Sequence, residues 1–221
     1  MGKFAAMVAA GLVAGLANTA AAQDGNWYLG AAAGVNIVPQ YKNTDDFGSF
    51  DFSTAPGYAV LGTVGYGFGP IRAEAEIGWR DNGMSKFTSG FGSAGLSGYM
   101  GVASTMANAY YDIRTGTAFT PYIGAGAGGA WINAVNIHSA TTGVTIVDKP
   151  QTGFAYQGIA GLSYAVNERL AVTVDYRYFA IEDVAVPESA ALGIPSTLRF
   201  GYAAHSVMFG FTYGIGPAPR R

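Results

Sequence analysis

The sequence predicts an all-β fold, an eight-stranded antiparallel up-and-down transmembrane β-barrel, on three observations. Charge is scarce: Asp, Glu, Lys and Arg make up 12% of the 221 residues, about half the share in an average soluble domain. Hydrophobic content is ordinary at 50%, while Gly (33), Tyr (14) and Phe (13) are abundant. A chain with too few charges to coat a water-facing surface, and no excess of Leu and Ile, suits a wall that is apolar only at alternate positions. Apolar and polar residues do alternate with period two over eight segments, and no helical pattern competes over a long window.

Residues 1–22 read as a secretory signal peptide. Lys3 supplies the positive start, residues 4–16 the apolar stretch, and Ala20-Ala21-Ala22 the small-residue cleavage site. The stretch is mostly Ala and Gly, and its strongly apolar part is shorter than the roughly 20 residues a membrane helix needs. Residues 23–215 form the predicted barrel and 216–221 a short C-terminal tail. The mature chain has a formal net charge of −3, from 11 basic and 14 acidic residues, and no basic cluster beyond Arg220-Arg221. That balance argues against a nucleic-acid partner. With no cysteine in an exported chain, stability must come from backbone hydrogen bonds and packing rather than disulfides.

The eight predicted strands are 26–37, 57–68, 71–80, 98–112, 119–133, 153–165, 169–181 and 202–215. Long connections at 38–56, 81–97, 134–152 and 182–201 alternate with short turns at 69–70, 113–118 and 166–168. Long loops on one side and tight turns on the other are the layout of membrane barrels, and an even strand number leaves both chain ends on the short-turn side.

Within each strand the two faces differ. The third predicted strand sets Arg72, Glu74, Glu76 and Arg80 against Ile71, Ala73, Ala75, Ile77 and Trp79. The seventh sets Arg169, Ala171, Thr173, Asp175 and Arg177 against Leu170, Val172, Val174, Tyr176 and Tyr178. In the eighth, Val207, Phe209, Phe211 and Tyr213 oppose Ser206, Met208, Gly210 and Thr212. Small or charged faces suit a narrow lumen, and bulky faces suit lipid.

Aromatic residues gather at both strand ends. Trp27, Tyr66, Phe68, Tyr111, Tyr122, Tyr164, Phe211 and Tyr213 fall on the short-turn side; Tyr58, Trp79, Tyr99, Trp131, Phe154, Tyr156, Tyr176 and Tyr178 fall on the long-loop side. These are expected to form the two interfacial belts of a membrane barrel, because such rings have one apolar and one water-seeking end.

The lumen of eight strands is just wide enough for side chains to fill. Arg72, Glu74, Glu76, Arg80, Asn108, Gln157, Asp175 and Arg177 are the predicted inward polar network. The third and seventh strands stand opposite each other in the ring, so Glu76 and Arg177 are expected at similar depth. An ion-pair plug follows, since buried charge is tolerated when paired. A small gated pore built on the same residues is the alternative, because charge inside a membrane is a functional signal.

Other chemistry finds little support. The Gly-rich run 124–129 lacks the Lys-Ser/Thr of a phosphate loop and lies within a strand pattern. His205 and Ser206 are adjacent, but strand neighbours point to opposite faces and cannot pair as base and nucleophile. His138 falls in a long loop, and acids such as Asp45-Asp46 and Glu182-Asp183 read as solvated loop charges. No catalytic residue, metal site or cofactor is predicted. Gly25-Asn26-Trp27-Tyr28 matches the opening of a soluble lipocalin-like ligand-binding barrel, but that fold shows water a polar exterior.

Three stretches carry a family resemblance: Asn26-Trp27-Tyr28-Leu29-Gly30, Met106-Ala107-Asn108-Ala109-Tyr110-Tyr111-Asp112, and Thr120-Pro121-Tyr122-Ile123-Gly124-Ala125-Gly126-Ala127-Gly128. The chain resembles the small OmpA-like, porin-family outer-membrane β-barrels, and within them the alphaproteobacterial outer-membrane proteins and rickettsial-type surface antigens. The resemblance implies residence in the outer membrane of a Gram-negative cell, with outer-membrane lipid and the barrel-assembly machinery as partners. Relatives often finish on an aromatic residue of the last strand; here Phe211 and Tyr213 are followed by Gly-Ile-Gly-Pro-Ala-Pro-Arg-Arg. No peptidoglycan-binding domain follows the barrel, so the cell-wall tethering of longer relatives is not carried over. The expected role is non-enzymatic: envelope integrity and display of surface loops, as a surface antigen and adhesin whose external partner the loops would meet.

Overall fold

Wherever bulky apolar residues alternate with small or polar ones, the chain is extended. The computed structural model describes residues 25–39, 41–45, 48–89, 92–139, 145–147, 151–187 and 197–215, so the signal-peptide segment and the C-terminal tail lie outside the described residues. Among the described residues there are eleven strands: β1 (Trp27–Ile37), β2 (Tyr41–Asp45), β3 (Gly48–Thr54), β4 (Gly57–Phe68), β5 (Ile71–Ser89), β6 (Gly92–Asp112), β7 (Phe119–Ser139), β8 (Thr145–Val147), β9 (Gln151–Ala165), β10 (Leu170–Pro187) and β11 (Thr197–Gly214). Eight of them form a closed antiparallel barrel in the order β1, β4, β5, β6, β7, β9, β10, β11, with β11 pairing back onto β1. Closure leaves no unpaired edge in lipid, where an unsatisfied backbone group costs several kcal/mol.

The register fixes the size of the barrel. Passing sideways from Trp27 through Tyr66, Ala73, Ala109, Ala125, Gly158, Tyr178 and His205 returns to β1 at Ile37, ten residues beyond the start. A shear of ten over eight strands means a tilt of about 40° and a backbone radius of roughly 8 Å, given the standard rise and strand spacing. At that tilt the 11 residues of β1 climb about 28 Å, the depth of a bilayer's apolar core.

Turn chemistry closes the narrow end. Gly69, with φ of 78°, and Pro70 join β4 to β5 directly after the pair Phe68 and Ile71. A two-residue hairpin needs positive φ at its first central residue, which glycine supplies without strain, and Pro presets the second. Between β9 and β10 the Asn167 side chain accepts hydrogen bonds from the amides of Arg169 (2.9 Å) and Leu170 (2.8 Å), a local turn that halts the ladder.

The wide end departs from the sequence expectation. β5 and β6 run 19 and 21 residues, β7 another 21, and β10 and β11 18 each. Residues 81–89 and 92–97, expected as loop, therefore continue the wall. A 21-residue strand at this tilt climbs about 50 Å, so the wall projects roughly 20 Å past the apolar core. Residues 41–45 and 48–54, also expected as loop, form the antiparallel β2–β3 pair, which joins β5 through Phe50 and Ser89 and β11 through Thr44 and Arg199. It fills the ring above the ends of β1 and β4. Beyond lipid both faces of a strand meet water, so pairing continues after the hydrophobic alternation has stopped.

Leu29, Val35, Val60, Ile71, Ile77, Val172, Phe209 and Phe211 remain exposed on the outer face. Such a surface excludes the soluble lipocalin-like alternative, whose exterior must be polar. Of the sixteen aromatics expected in the two belts, Trp27, Tyr66, Trp79, Trp131, Tyr164, Tyr176, Phe211 and Tyr213 lie on the outward parity of their strands. Tyr122, expected in the same belt, instead points inward and is buried; it has the opposite parity to its outward neighbour Ile123 on β7.

Candidate functional site

The inward faces of β5 and β10 supply most of the charge, β6 adds Asp112, and β1, β6, β7 and β9 supply the neutral groups that satisfy it. All eight predicted lumen residues, Arg72, Glu74, Glu76, Arg80, Asn108, Gln157, Asp175 and Arg177, are buried inside the barrel. Seven of them fall into two clusters.

Near the short turns, Arg72 Nη1 lies 3.0 Å from Glu74 Oε1, and Arg72 Nε donates to both Asp112 carboxylate oxygens at 3.1 and 2.8 Å. The Tyr28 hydroxyl donates to Glu74 at 2.7 Å and accepts from Arg72 Nη1 at 3.2 Å. The guanidinium also sits 4.6 Å from the Tyr110 ring centre and 5.2 Å from that of Tyr122, both within cation–π range. A Cβ at Gly65 would come within 2.3 Å of the Tyr28 ring, so the absence of a side chain there leaves the room that ring occupies.

Halfway up, Arg177 spans two carboxylates. Its Nη1 donates to Glu76 and its Nε to Asp175, each at 2.6 Å. Glu76 also accepts from Asn108 Nδ2 at 3.0 Å and Gln157 Nε2 at 3.2 Å, while Gln157 donates to Asn108 at 2.8 Å. Asp175 accepts the Tyr122 hydroxyl at 3.0 Å. Glu76 and Arg177 are 101 residues apart in sequence and meet because their strands stand across the ring. Distributing two anions over one guanidinium and three neutral donors is what makes buried charge tolerable in so narrow a space.

Arg80 stands apart from both clusters. It donates to Ser104 at 3.0 Å and lies 3.8 Å above the Phe179 ring, while its Nε has no hydrogen-bond partner among the described residues. Around it the lumen turns apolar, filled by Val102, Ile132, Phe179, Ile181 and Tyr202.

A third, neutral cluster closes the top. Asn36 donates to Asn82 at 2.6 Å and Ser206 donates to Asn36 at 2.6 Å. Asn82 in turn donates to the carbonyls of Asn36 (3.0 Å) and Ala55 (3.1 Å), fastening the foot of the β2–β3 pair. Sequence reasoning missed this cluster, the inward tyrosines and the apolar layer. Parity along the strands was the available signal: Tyr28, Asn36, Val102, Tyr110, Tyr122, Ile132 and Phe179 all fall on the lumen face.

The arrangement has no nucleophile–base pair in the described lumen. Ser206 faces inward to Asn36, whereas His205 faces outward, its Nδ1 2.5 Å from the Tyr176 hydroxyl. A closed barrel with an apolar band outside and paired charge inside is a membrane-spanning wall, and the comparison with known proteins agrees. Residues 6–216 match the family model of the outer membrane protein β-barrel domain.

The chain belongs to this family of outer-membrane barrels.

Its place is therefore the outer membrane of a Gram-negative envelope. The outer membrane protein PagN of Salmonella typhimurium strain LT2 is 26% identical over 241 aligned positions, covering 97% of this chain and all of that one. Among solved structures, outer membrane protein OprG from Pseudomonas aeruginosa superposes with a TM-score of 0.60 at 14% identity, covering 86% of this chain and 97% of that one. Neisserial surface protein A gives a TM-score of 0.55 at 20% identity, covering 85% and 96%. At these identities the two structures speak for the shared fold of this outer-membrane barrel family member and for nothing finer.

Proposed function

We propose that this outer-membrane barrel is a non-enzymatic structural and surface-display protein, exported by its signal peptide, that stiffens the envelope and meets an external partner through its long-loop end. The single observation that carries this reading is the unequal wall: strands of 18 to 21 residues rise well past the apolar band, while the opposite end stops at tight turns. A wall that tall above the lipid lifts a recognition surface clear of the membrane, and rigid scaffolds with outward loops are where recognition resides. The ion-pair clusters and the apolar layer above them favour a plug over a channel.

The test is to shorten the β5–β6 hairpin by replacing residues 86–95 with a two-residue turn, then to compare attachment of cells displaying each form. The shortened protein should still resist unboiled detergent electrophoresis and should lose attachment; unchanged attachment would overturn the display reading. A second reading, a small gated pore, draws on Arg80, which shares the lumen face of β5 with Glu76 and is a rival cation for that carboxylate. Planar-bilayer recording separates the two: a plug gives no stable conductance, a gated pore gives discrete openings.

A further inference from the structure

Among the described residues, no hydrogen bond joins the Arg72–Glu74–Asp112 cluster to the Asp175–Arg177–Glu76 cluster. Between them lies a cavity of about 30 Å³, to which Arg72 and Glu74 contribute from one side and Asp175 and Arg177 from the other. A water molecule needs about 10–15 Å³ on this measure, so there is room for about two.

The lining selects the occupant. Two guanidinium groups oppose a metal cation, two carboxylates oppose an anion, and the volume excludes an organic solute. A neutral molecule that both donates and accepts fits all four. Tyr110, which also lines the cavity, has a buried hydroxyl with no hydrogen-bond partner, and such a group costs free energy unless something satisfies it. Thr63 and Thr173 add hydroxyls to the wall; both face inward yet are only half-buried, as they would be beside a space a water-sized sphere can reach. Gly30 keeps that space open, since a Cβ there would come within 2.5 Å of Thr63 Oγ1.

We propose that this cavity is an internal hydration site, whose water joins the two ion-pair clusters into one hydrogen-bonded network. The network then runs from Asp112, whose side chain is 17% exposed at the short-turn rim, to Gln157 at mid-barrel. Beyond it Val102, Ile132 and Phe179 form an apolar layer, and the polar groups there, Arg80 with Ser104 and Asn36 with Asn82 and Ser206, make hydrogen bonds among themselves. Asp112 is the point at which this network meets bulk water.

Radiolytic hydroxyl-radical footprinting of the full protein in lipid nanodiscs tests this, because radicals formed from an ordered internal water modify the side chains it touches. Tyr110, Tyr122 and Tyr202 are equally shielded from solvent, each 4% exposed, so bulk exposure predicts equal rates. The hydration site predicts several-fold faster modification of Tyr110 and Tyr122 than of Tyr202. Rates for Tyr110 and Tyr122 no greater than that of Tyr202 would overturn the proposal. A Thr63→Leu variant fills the cavity and should bring the Tyr110 rate down to that of Tyr202; if it does not fold, the comparison within the unaltered protein still decides.

Discussion

Replacing Arg177 with Met tests the mid-barrel ion-pair cluster directly. The substitution keeps an unbranched apolar stem and removes the charge, deleting two 2.6 Å hydrogen bonds, one to Glu76 and one to Asp175. Hydrogen bonds to charged groups contribute roughly 1.5–3 kcal/mol each, which sets an upper bound of about 6 kcal/mol. Part of that is retained, because Glu76 keeps its bonds from Asn108 and Gln157 and Asp175 keeps that from Tyr122. The expected loss is about 3–5 kcal/mol, the range for stranding a buried charge by removing its partner. Urea unfolding from lipid vesicles, followed by fluorescence of the three tryptophans, measures it. The double variant Arg177→Met with Glu76→Met removes cation and anion together, so its loss should fall short of the sum of the single losses by about 1–2 kcal/mol. A loss under about 1 kcal/mol for Arg177→Met, or strict additivity in the double variant, would refute the view that these charges act as a buried pair.

Three further outcomes follow from the geometry. Asn82→Ala removes the two carbonyl contacts at the foot of the β2–β3 pair; proteolysis within residues 38–56 should accelerate while unboiled gel mobility is retained, at a stability cost of about 1–3 kcal/mol. Gly65→Ala forces a Cβ to within 2.3 Å of the Tyr28 ring, whereas Gly158→Ala meets nothing within 4 Å; the first should cost about 1–3 kcal/mol by overpacking and the second should leave the urea midpoint in place. Ala75→Lys puts a charge on the outer face midway between Ile71 and Trp79, and should cost about 2–4 kcal/mol in vesicles if that face meets the bilayer midplane; no loss would contradict the membrane depth assigned to β5.

The membrane-embedded part of the fold was legible because lipid imposes the rule that hydropathy reads: one residue out, one residue in. Turn signals such as Gly69-Pro70 then set the strand count. The same rule falls silent for residues 83–89, 41–45 and 48–54, where backbone pairing continues without the apolar alternation. In the lumen, the charged members were legible since Arg72, Glu74, Glu76, Asp175 and Arg177 share parity on two strands. Phe179, Ile132 and Val102 were not, because an apolar residue in a membrane barrel is read as lipid-facing unless its parity is checked against its neighbours. Tyr122 failed for the same reason: it was read as an interfacial ring, yet its hydroxyl is bonded to Asp175.

The pairing of β1 with β11 joins Tyr28 to Gly214 and Ile37 to His205, nearly the two extremes of the chain. The other seams among the eight barrel strands need no partner from the far end of the chain, but this one, like the β2–β11 pairing above it, waits for the last strand to arrive. Until then β1 and β11 both present bare ladders, and the long closure makes the step slow. The unfinished sheet is therefore a sticky intermediate, and the time spent in it, rather than the strength of any single contact, governs how much chain reaches the membrane intact.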